Sequence, residues 1–335
     1  MKTSKWMTLA ASRRALMALS ALAGGLIEAK AWAQTANYPV RPIRIIVPYT
    51  PGGTTDIATR LVAEPLSKVF GQPVVVENRP GANSIVGAAA AASSAPDGYT
   101  IVMVLPAHAA NATLQAGKMP FDPITSFTPV SLVVTAPLVL AGSKHVPART
   151  LQDYIGFAKK NPGKMNYGSS GIGATAHLAM ELLKLRTGIQ MEHVPYRGTQ
   201  PALQDLMAGN IGLLFDTYST LKPQFDGGNI RPLGIATAER APFAPELPTV
   251  IEGGIGEFVA SSWCMLLAPA GTPQALVDRI STEVAKIVRE PTMTTKLQDL
   301  GFVVEGRSPV QTSEFLGSEV ERWGSVIRSA NITVE

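Results

Sequence analysis

The sequence predicts an α/β protein with parallel strands and helices on both sheet faces, built as two units joined by two crossing strands. Three observations carry this. Short apolar runs alternate with helical patterns from residue 38 onward. Two extended runs, residues 127–143 and 259–269, are much longer than the others and bracket the middle of the chain. Glycine, serine or threonine stands at several joints where a strand gives way to a helix.

The elements follow in order. IRIIVPY (43–49) is the first strand, and a helix spans 54–70 with Ile57, Leu61, Val62, Leu66 and Val69 on one side and Gly71 as its stop. PVVVEN (73–78) is the second strand. SIVGAAAAASS (84–94) is a small-residue helix suited to close packing on a sheet, and PDGYTIVMVL (96–105) is a turn and a third strand. After the first long run come a helix at 151–162, a strand at 165–170, a helix at 175–187 and a strand at 189–196. A helix at 200–208, a strand at 211–216, a short helix at 219–226 and a strand at 230–237 complete this unit. The second long run leads to helices at 273–290, 291–299 and 309–329. One domain is then made from both chain ends, residues 34–137 and 258–335, and the other, residues 138–257, is inserted. Two lobes with two connecting strands make a hinged cleft, and ligands bind in such clefts at the C-terminal ends of strands.

The 335 residues are 46% hydrophobic and 16% charged, a globular composition, with a formal net charge of +4. That charge belongs to the N-terminus. Residues 1–33 read as an export signal: Lys2, Lys5, Arg13 and Arg14, then the apolar ALMALSALAGGLI, then the small-residue cleavage site AWA. Of 29 Lys/Arg and 25 Asp/Glu, five and one lie in this leader, leaving 24 of each beyond it. A nucleic-acid partner therefore has no support. SRRALM fits a twin-arginine signal in part, so a general secretory or a twin-arginine route to the periplasm is open. Beyond the leader no apolar run is long enough to cross a bilayer. Cys264, the one cysteine, lies among apolar residues and reads as a buried thiol.

Four joints carry the chemistry. They are VPYTPGGTTD (47–56), NYGSSGIGATAH (166–177), HVPYRGTQPALQ (193–204) and FDTYST (215–220). Each opens a helix, whose first turn offers unpaired N–H groups and a partial positive charge. Glycine lets a ligand approach that backbone, and hydroxyls add donors. Several such starts around one cleft form an anion site without lysine or arginine, suited to a carboxylate as well as a phosphate. The plainer reading is that each glycine serves only its own turn.

Named motifs mostly fail. PGGTTD lacks the lysine of a Walker loop, and GSSGIG lacks the spacing of a nucleophile elbow. His108, His145, His177 and His193 show no metal-ligand spacing, so no metal is expected. GIGATA does fit the dinucleotide fingerprint, with Gly171 and Gly173 and with Glu192 about 20 residues on, expected near the end of the next strand. An exported dinucleotide-dependent oxidoreductase is therefore the enzyme alternative, although no acid–base pair for hydride transfer is visible.

Together the stretches resemble the Bug family of exported solute-binding proteins, the receptors of tripartite tricarboxylate transporters. The resemblance runs from YPVRPIRIIVPYTPGGTTD (38–56) through GQPVVVENRPGA, APDGYT, PGKMNYGSSGIGATAHLAMEL, HVPYRGTQPALQDLMAGNI and LPTVIEGG to LLAPAGTP and RWGSVIRSANI (322–332). It implies a two-lobed periplasmic-binding-protein fold of type II-like form that closes on a small carboxylate, di- or tricarboxylic or aromatic. It further implies no catalysis, no cofactor, a monomer, and a membrane permease as partner, with a signalling protein as the other possible recipient.

Matched by motif, one pincer loop is Tyr49, Thr50, Pro51, Gly52, Gly53, Thr54 and Asp56. The other is Ser169, Ser170, Gly171, Gly173, Ala174 and Thr175, with His177 just inside the helix. Tyr196, Arg197, Gly198, Asp216 and Ser219 line the second lobe's side in this reading. Asp216 is open to two readings, a ligand or water contact and a helix cap. Where many relatives have GAGG this chain has GANS, which puts Asn83 and Ser84 at the rim. Asn111-Ala112 replaces a common Asn-Pro, which loosens a loop after LPAHA and leaves the role of His108 open. Tyr49 stands where phenylalanine is frequent.

Overall fold

The structure, a computed structural model, describes residues 37–334, so the expected leader and its cleavage site lie outside the described residues. Strands β1 (Ile43–Val47), β2 (Val74–Asn78) and β3 (Thr100–Val104) alternate with helices α1 (Thr54–Phe70), α2 (Ile85–Ala92) and α3 (Ala107–Leu114). The long strand β4 (Phe127–Ser143) leads to α4 (Leu151–Lys160), β5 (Asn166–Ser169), α5 (Thr175–Thr187), β6 (Glu192–Pro195) and α6 (Thr199–Ala208). Then follow β7 (Leu213–Thr217), α7 (Tyr218–Asp226) and β8 (Ile230–Ile235). A π-helical turn (Ile251–Ile255) precedes β9 (Ser261–Pro269), α8 (Gln274–Arg289), α9 (Pro291–Asp299), β10 (Val303–Val304) and α10 (Pro309–Ser329).

The strand order is β2-β1-β3-β9-β4-β7-β5-β6, with β8 and β10 also on β4. β4 is shared. Its residues 127–137 pair with β9, and residues 138–143 pair with β7 and β8. Within each half the short strands are parallel, β1 with β2 and β3, and β5 with β6 and β7. The sheet as a whole is mixed, because β9 runs antiparallel to β3 and β4, and β4 antiparallel to β7 and β8. The expectation of a parallel sheet is corrected at the crossing strands, which carry the chain back against its neighbours. Both crossing strands are covered on both faces, so their sequences read as apolar runs without alternation.

Two local expectations also change. Residues 107–114 form a helix rather than a loop, and His108 lies buried inside it. Its Nε2 lies 2.8 Å from the Pro123 carbonyl, its ring contacts Phe121 and Phe127, and burial lowers its pKa to about 4. It is therefore a neutral core residue at neutral pH. On α1 the buried face is Thr55, Asp56, Ala58, Thr59, Val62, Ala63, Leu66 and Phe70. Ile57 and Val69, expected on one side with Leu61, Val62 and Leu66, are exposed at 38% and 52%. Small residues let this helix sit close to the sheet, which turns Ile57 outward beside the cleft.

The last helix spans both halves. Leu316 packs in the core around β3 and β9, whereas Trp323, Val326 and Ile327 pack with Leu178 and Leu183 of α5. The expected division, with residues 258–335 wholly in the first lobe, thus leaves α10 bridging two cores. A buried carboxylate marks the crossing: Glu319 Oε2 accepts 2.8 Å bonds from the indole N–H groups of both Trp263 and Trp323, and Oε1 accepts from Arg322. Removing that acceptor strands two buried donors. Glu319→Ala is expected to cost about 3 kcal/mol and Glu319→Gln less than half of that, measured by urea unfolding. Equal stability of the alanine variant and the parent would contradict the role given to Glu319.

Candidate functional site

Because the parallel strands of both halves end at the seam, the helices that follow them begin there. Five do so on the wall of one cavity of about 340 Å³ between the lobes. The wall includes Gly53, Thr54 and Thr55 at the start of α1, and Ala107 at the start of α3. It also includes Ala174, Thr175 and Ala176 of α5, Thr199 of α6 and Thr217 before α7. None of these five first turns has a side-chain cap. Helices α4, α9 and α10, which start away from the cavity, are capped by Thr150, Glu290 and Ser308. The uncapped N–H groups and their dipoles therefore converge on one space. Among the described residues that line it there is no lysine, arginine or histidine.

The first pincer loop is held from behind. Asp56 Oδ2 accepts from the Gly52 N–H and from Arg60 Nε, both at 2.9 Å, and Oδ1 accepts from Asn78 Nδ2. Asn78 also donates to the Tyr49 carbonyl. The Arg60 hydrogen bond is the main reason the Asp56 pKa falls to about 2. Tyr49 lies against Ser84 and the Leu105 backbone without closing a hydrogen bond to either, and burial pushes its phenol pKa up, so it stays neutral. Among the described residues, the buried side-chain polar atoms without a partner are Tyr49 Oη, Thr55 Oγ1 and Ser84 Oγ. All three belong to the first lobe's edge of the cleft. Next to them Ala82, Asn83 and Ser84 have φ of 45°, 49° and 79°, a left-handed run that costs about 1–2 kcal/mol per residue. Asn111 of α3 holds this run by donating to the Asn83 carbonyl at 2.9 Å.

The second pincer loop is supported by two histidines. The Gly173 N–H donates to His177 Nδ1 at 3.1 Å, and the Gly171 N–H donates to Ser169 Oγ. Ser169 Oγ lies 2.6 Å from His193 Nε2, and the His193 ring stacks on His177 at 3.9 Å. Burial lowers the pKa of His177 to about 3 and of His193 to about 4, so both rings are neutral near pH 7. That neutrality lets His177 Nδ1 accept the hydrogen bond from the Gly173 N–H. Across the cleft the loop touches the first lobe: a Cβ on Gly173 would lie 2.5 Å from Leu114 Cδ1.

The expected site residues sort into three groups. Tyr49, Thr50, Gly53, Thr54, Asn83, Ser170, Gly171, Ala174, Thr175 and Asp216 line the inner cavity. Gly52 and Ser219 line an adjoining space. Pro51, Asp56, Ser84, Ser169, Gly173, His177, Tyr196, Arg197 and Gly198 line neither. Of these, Asp56, Ser169 and His177 brace the loops, Gly198 donates to the Ser170 carbonyl, and the Tyr196 hydroxyl turns away to Asp205. Asp216, buried at the end of β7, accepts from Thr199 Oγ1 at 2.6 Å and from the Thr217 N–H, while burial raises its pKa. Leu105, Ala107, Leu138 and Ser262 line the cavity from outside the four joints and were not expected there. A helix start was hidden at Ala107, because Pro106 and alanine give none of the usual Ser, Thr or Gly punctuation. Glu192 opens β6 level with Asn166 rather than closing the strand, roughly 10 Å short of the helix starts. The dinucleotide fingerprint thus has its acid at the wrong end of the strand.

A family model described as "Tripartite tricarboxylate transporter family receptor" matches residues 58–332. The chain belongs to that receptor family. Its fold is the two-lobed periplasmic-binding-protein fold of the family's solved members. Protein BugT of Bordetella pertussis is 34% identical over 297 residues, covering 87% of this chain and 90% of that protein. A structure of R. palustris Rpa4515 with adipate is 37% identical with a TM-score of 0.80, covering 88% of this chain and 99% of that one. MatC from Rhodopseudomonas palustris, solved with bound malate, is 32% identical with a TM-score of 0.76, covering 87% of this chain and all of that one (100%).

The bracing of the first loop has a pH signature. The Asp56 carboxylate pKa is depressed on folding, so its stabilisation is complete above pH 4 and is lost as pH falls through about 2. Asp56→Asn is expected to lose about 1–2 kcal/mol at pH 6, with screening at the exposed Arg60 allowed for, and to differ little from the parent near pH 2. Urea unfolding of both proteins across that range is the check.

Proposed function

We propose that this protein is a periplasmic receptor that captures a small organic carboxylate between its lobes and delivers it to a tripartite tricarboxylate transporter permease. The observation that carries the reading is the convergence of five uncapped helix starts on one interlobe cavity without a cationic side chain. Such a site neutralises an anion with backbone dipoles, and its volume suits a small acid. Adipate and malate in two related structures support a carboxylate as the ligand. In this reading the lobes divide at residues 137/138 and 257/258, residues 1–33 direct export, and the mature chain acts as a monomer without cofactor or catalysis. The pincer residues hold one carboxylate by their N–H groups and hydroxyls, and closure of the lobes supplies affinity.

Calorimetry against mono-, di-, tri- and aromatic carboxylates is expected to give a one-to-one complex. Small-angle scattering is expected to show a more compact molecule once the ligand is bound, and the ligand is expected to be recovered unchanged. Absence of binding across the whole panel would sink the proposal.

A further inference from the structure

We propose that the ligand is elongated, with a carboxylate head in the inner cavity and an apolar, uncharged body in a second compartment of the cleft. This rests on the carboxylate reading above and narrows it. A space of about 400 Å³ adjoins the inner cavity and shares Gly53, Thr54, Thr199 and Asp216 with it. Those four residues form the neck between the two. Beyond the neck the walls differ in chemistry. The first lobe contributes Ile57, Leu300 and Phe302, and the second contributes Gln200, Ser219 and Thr220.

The apolar wall is built rather than incidental. Ile57 is 38% exposed in the first turn of α1, because the helix buries Thr55, Asp56, Ala58 and Thr59 against the sheet instead. Leu300 and Phe302 flank Gly301, and their amides both donate to the Leu297 carbonyl, which fixes the turn. Gly301 has φ +74°, and a Cβ there would lie 3.3 Å from the Ser219 nitrogen, so this turn abuts the start of α7 across the cleft. The compartment is therefore walled off on that side by first-lobe chain pressed against the second lobe.

Its chemistry selects the occupant. No lysine or arginine lines it, so a second negative charge placed there would lack a partner. An aliphatic chain or aromatic ring would cover Ile57, Leu300 and the edge of Phe302. Gln200, Ser219 and Thr220 can meet a neutral hydroxyl, carbonyl or amide at its far end.

The test is a chain-length series by calorimetry: butanoate, hexanoate and octanoate, the matched α,ω-dicarboxylates, and benzoate and 3-phenylpropanoate. In the parent protein the monocarboxylates are expected to tighten by about two- to fourfold per added methylene. In Leu300→Gln and Ile57→Gln that gain per methylene is expected to be halved or lost. A flat or falling series in the parent would overturn the inference, as would the same slope in the parent and both variants. So would binding that demands a second carboxylate at every chain length. If some carboxylate binds while these outcomes occur, only the elongated-ligand inference fails; if nothing in the panel binds, the receptor reading fails with it.

Discussion

Everything about this molecule's cleft depends on one 17-residue strand, β4, being hydrogen-bonded in two half-sheets at once. Its first part accepts the neighbours of one lobe and its second part those of the other. Because β4 runs through both half-sheets, with bulges near 129–131, 132–134 and 140–141, the two are joined end to end with their parallel strands facing the seam. Every parallel strand then ends at the cleft, and each following helix must begin there. The convergence of uncapped helix starts on the cleft is thus a by-product of topology. At Thr150 and Ser308, away from the cleft, the chain supplies a capping box.

Charge enters the site only as dipoles and one aspartate. Lysine or arginine would bind an anion more strongly, but either would also hold it by long-range attraction that salt screens and that persists in the open state. Backbone N–H groups act over a short range, so in the proposed receptor their benefit would come mainly once both lobes surround the ligand. That suits a receptor that must release as well as capture. Asp216, tied to Thr199 and the Thr217 N–H, joins the starts of α6 and α7 and sits between the two compartments.

The loops that carry the donors are short of their own structure and are fixed from behind. Asp56 and Asn78 hold one, His177 and Ser169 hold the other, and Asn111 holds the left-handed run at 82–84. This division explains why several conspicuous residues do not touch the cavity. His177, just inside α5, spends its acceptor on the Gly173 N–H.

The sequence by itself determined the order of strands and helices, the two crossings, and most of the joints that reach the cleft, because local periodicity and glycine placement encode these directly. Helix α1 at Thr54–Phe70, α5 at Thr175–Thr187 and α10 at Pro309–Ser329 were legible to the residue. The resemblance carried by those joints likewise pointed to the receptor family. Tertiary structure alone decided which residues at a joint face the cavity and which face the scaffold. It turned Ile57 outward, drew Trp323 into the second core, placed Glu192 at the far end of β6, and brought Leu300 and Phe302 to the cleft from the far end of the chain. The physical reason is that side-chain direction at a strand–helix joint, and contact between segments far apart in the chain, are set by how the layers pack, which local sequence does not record.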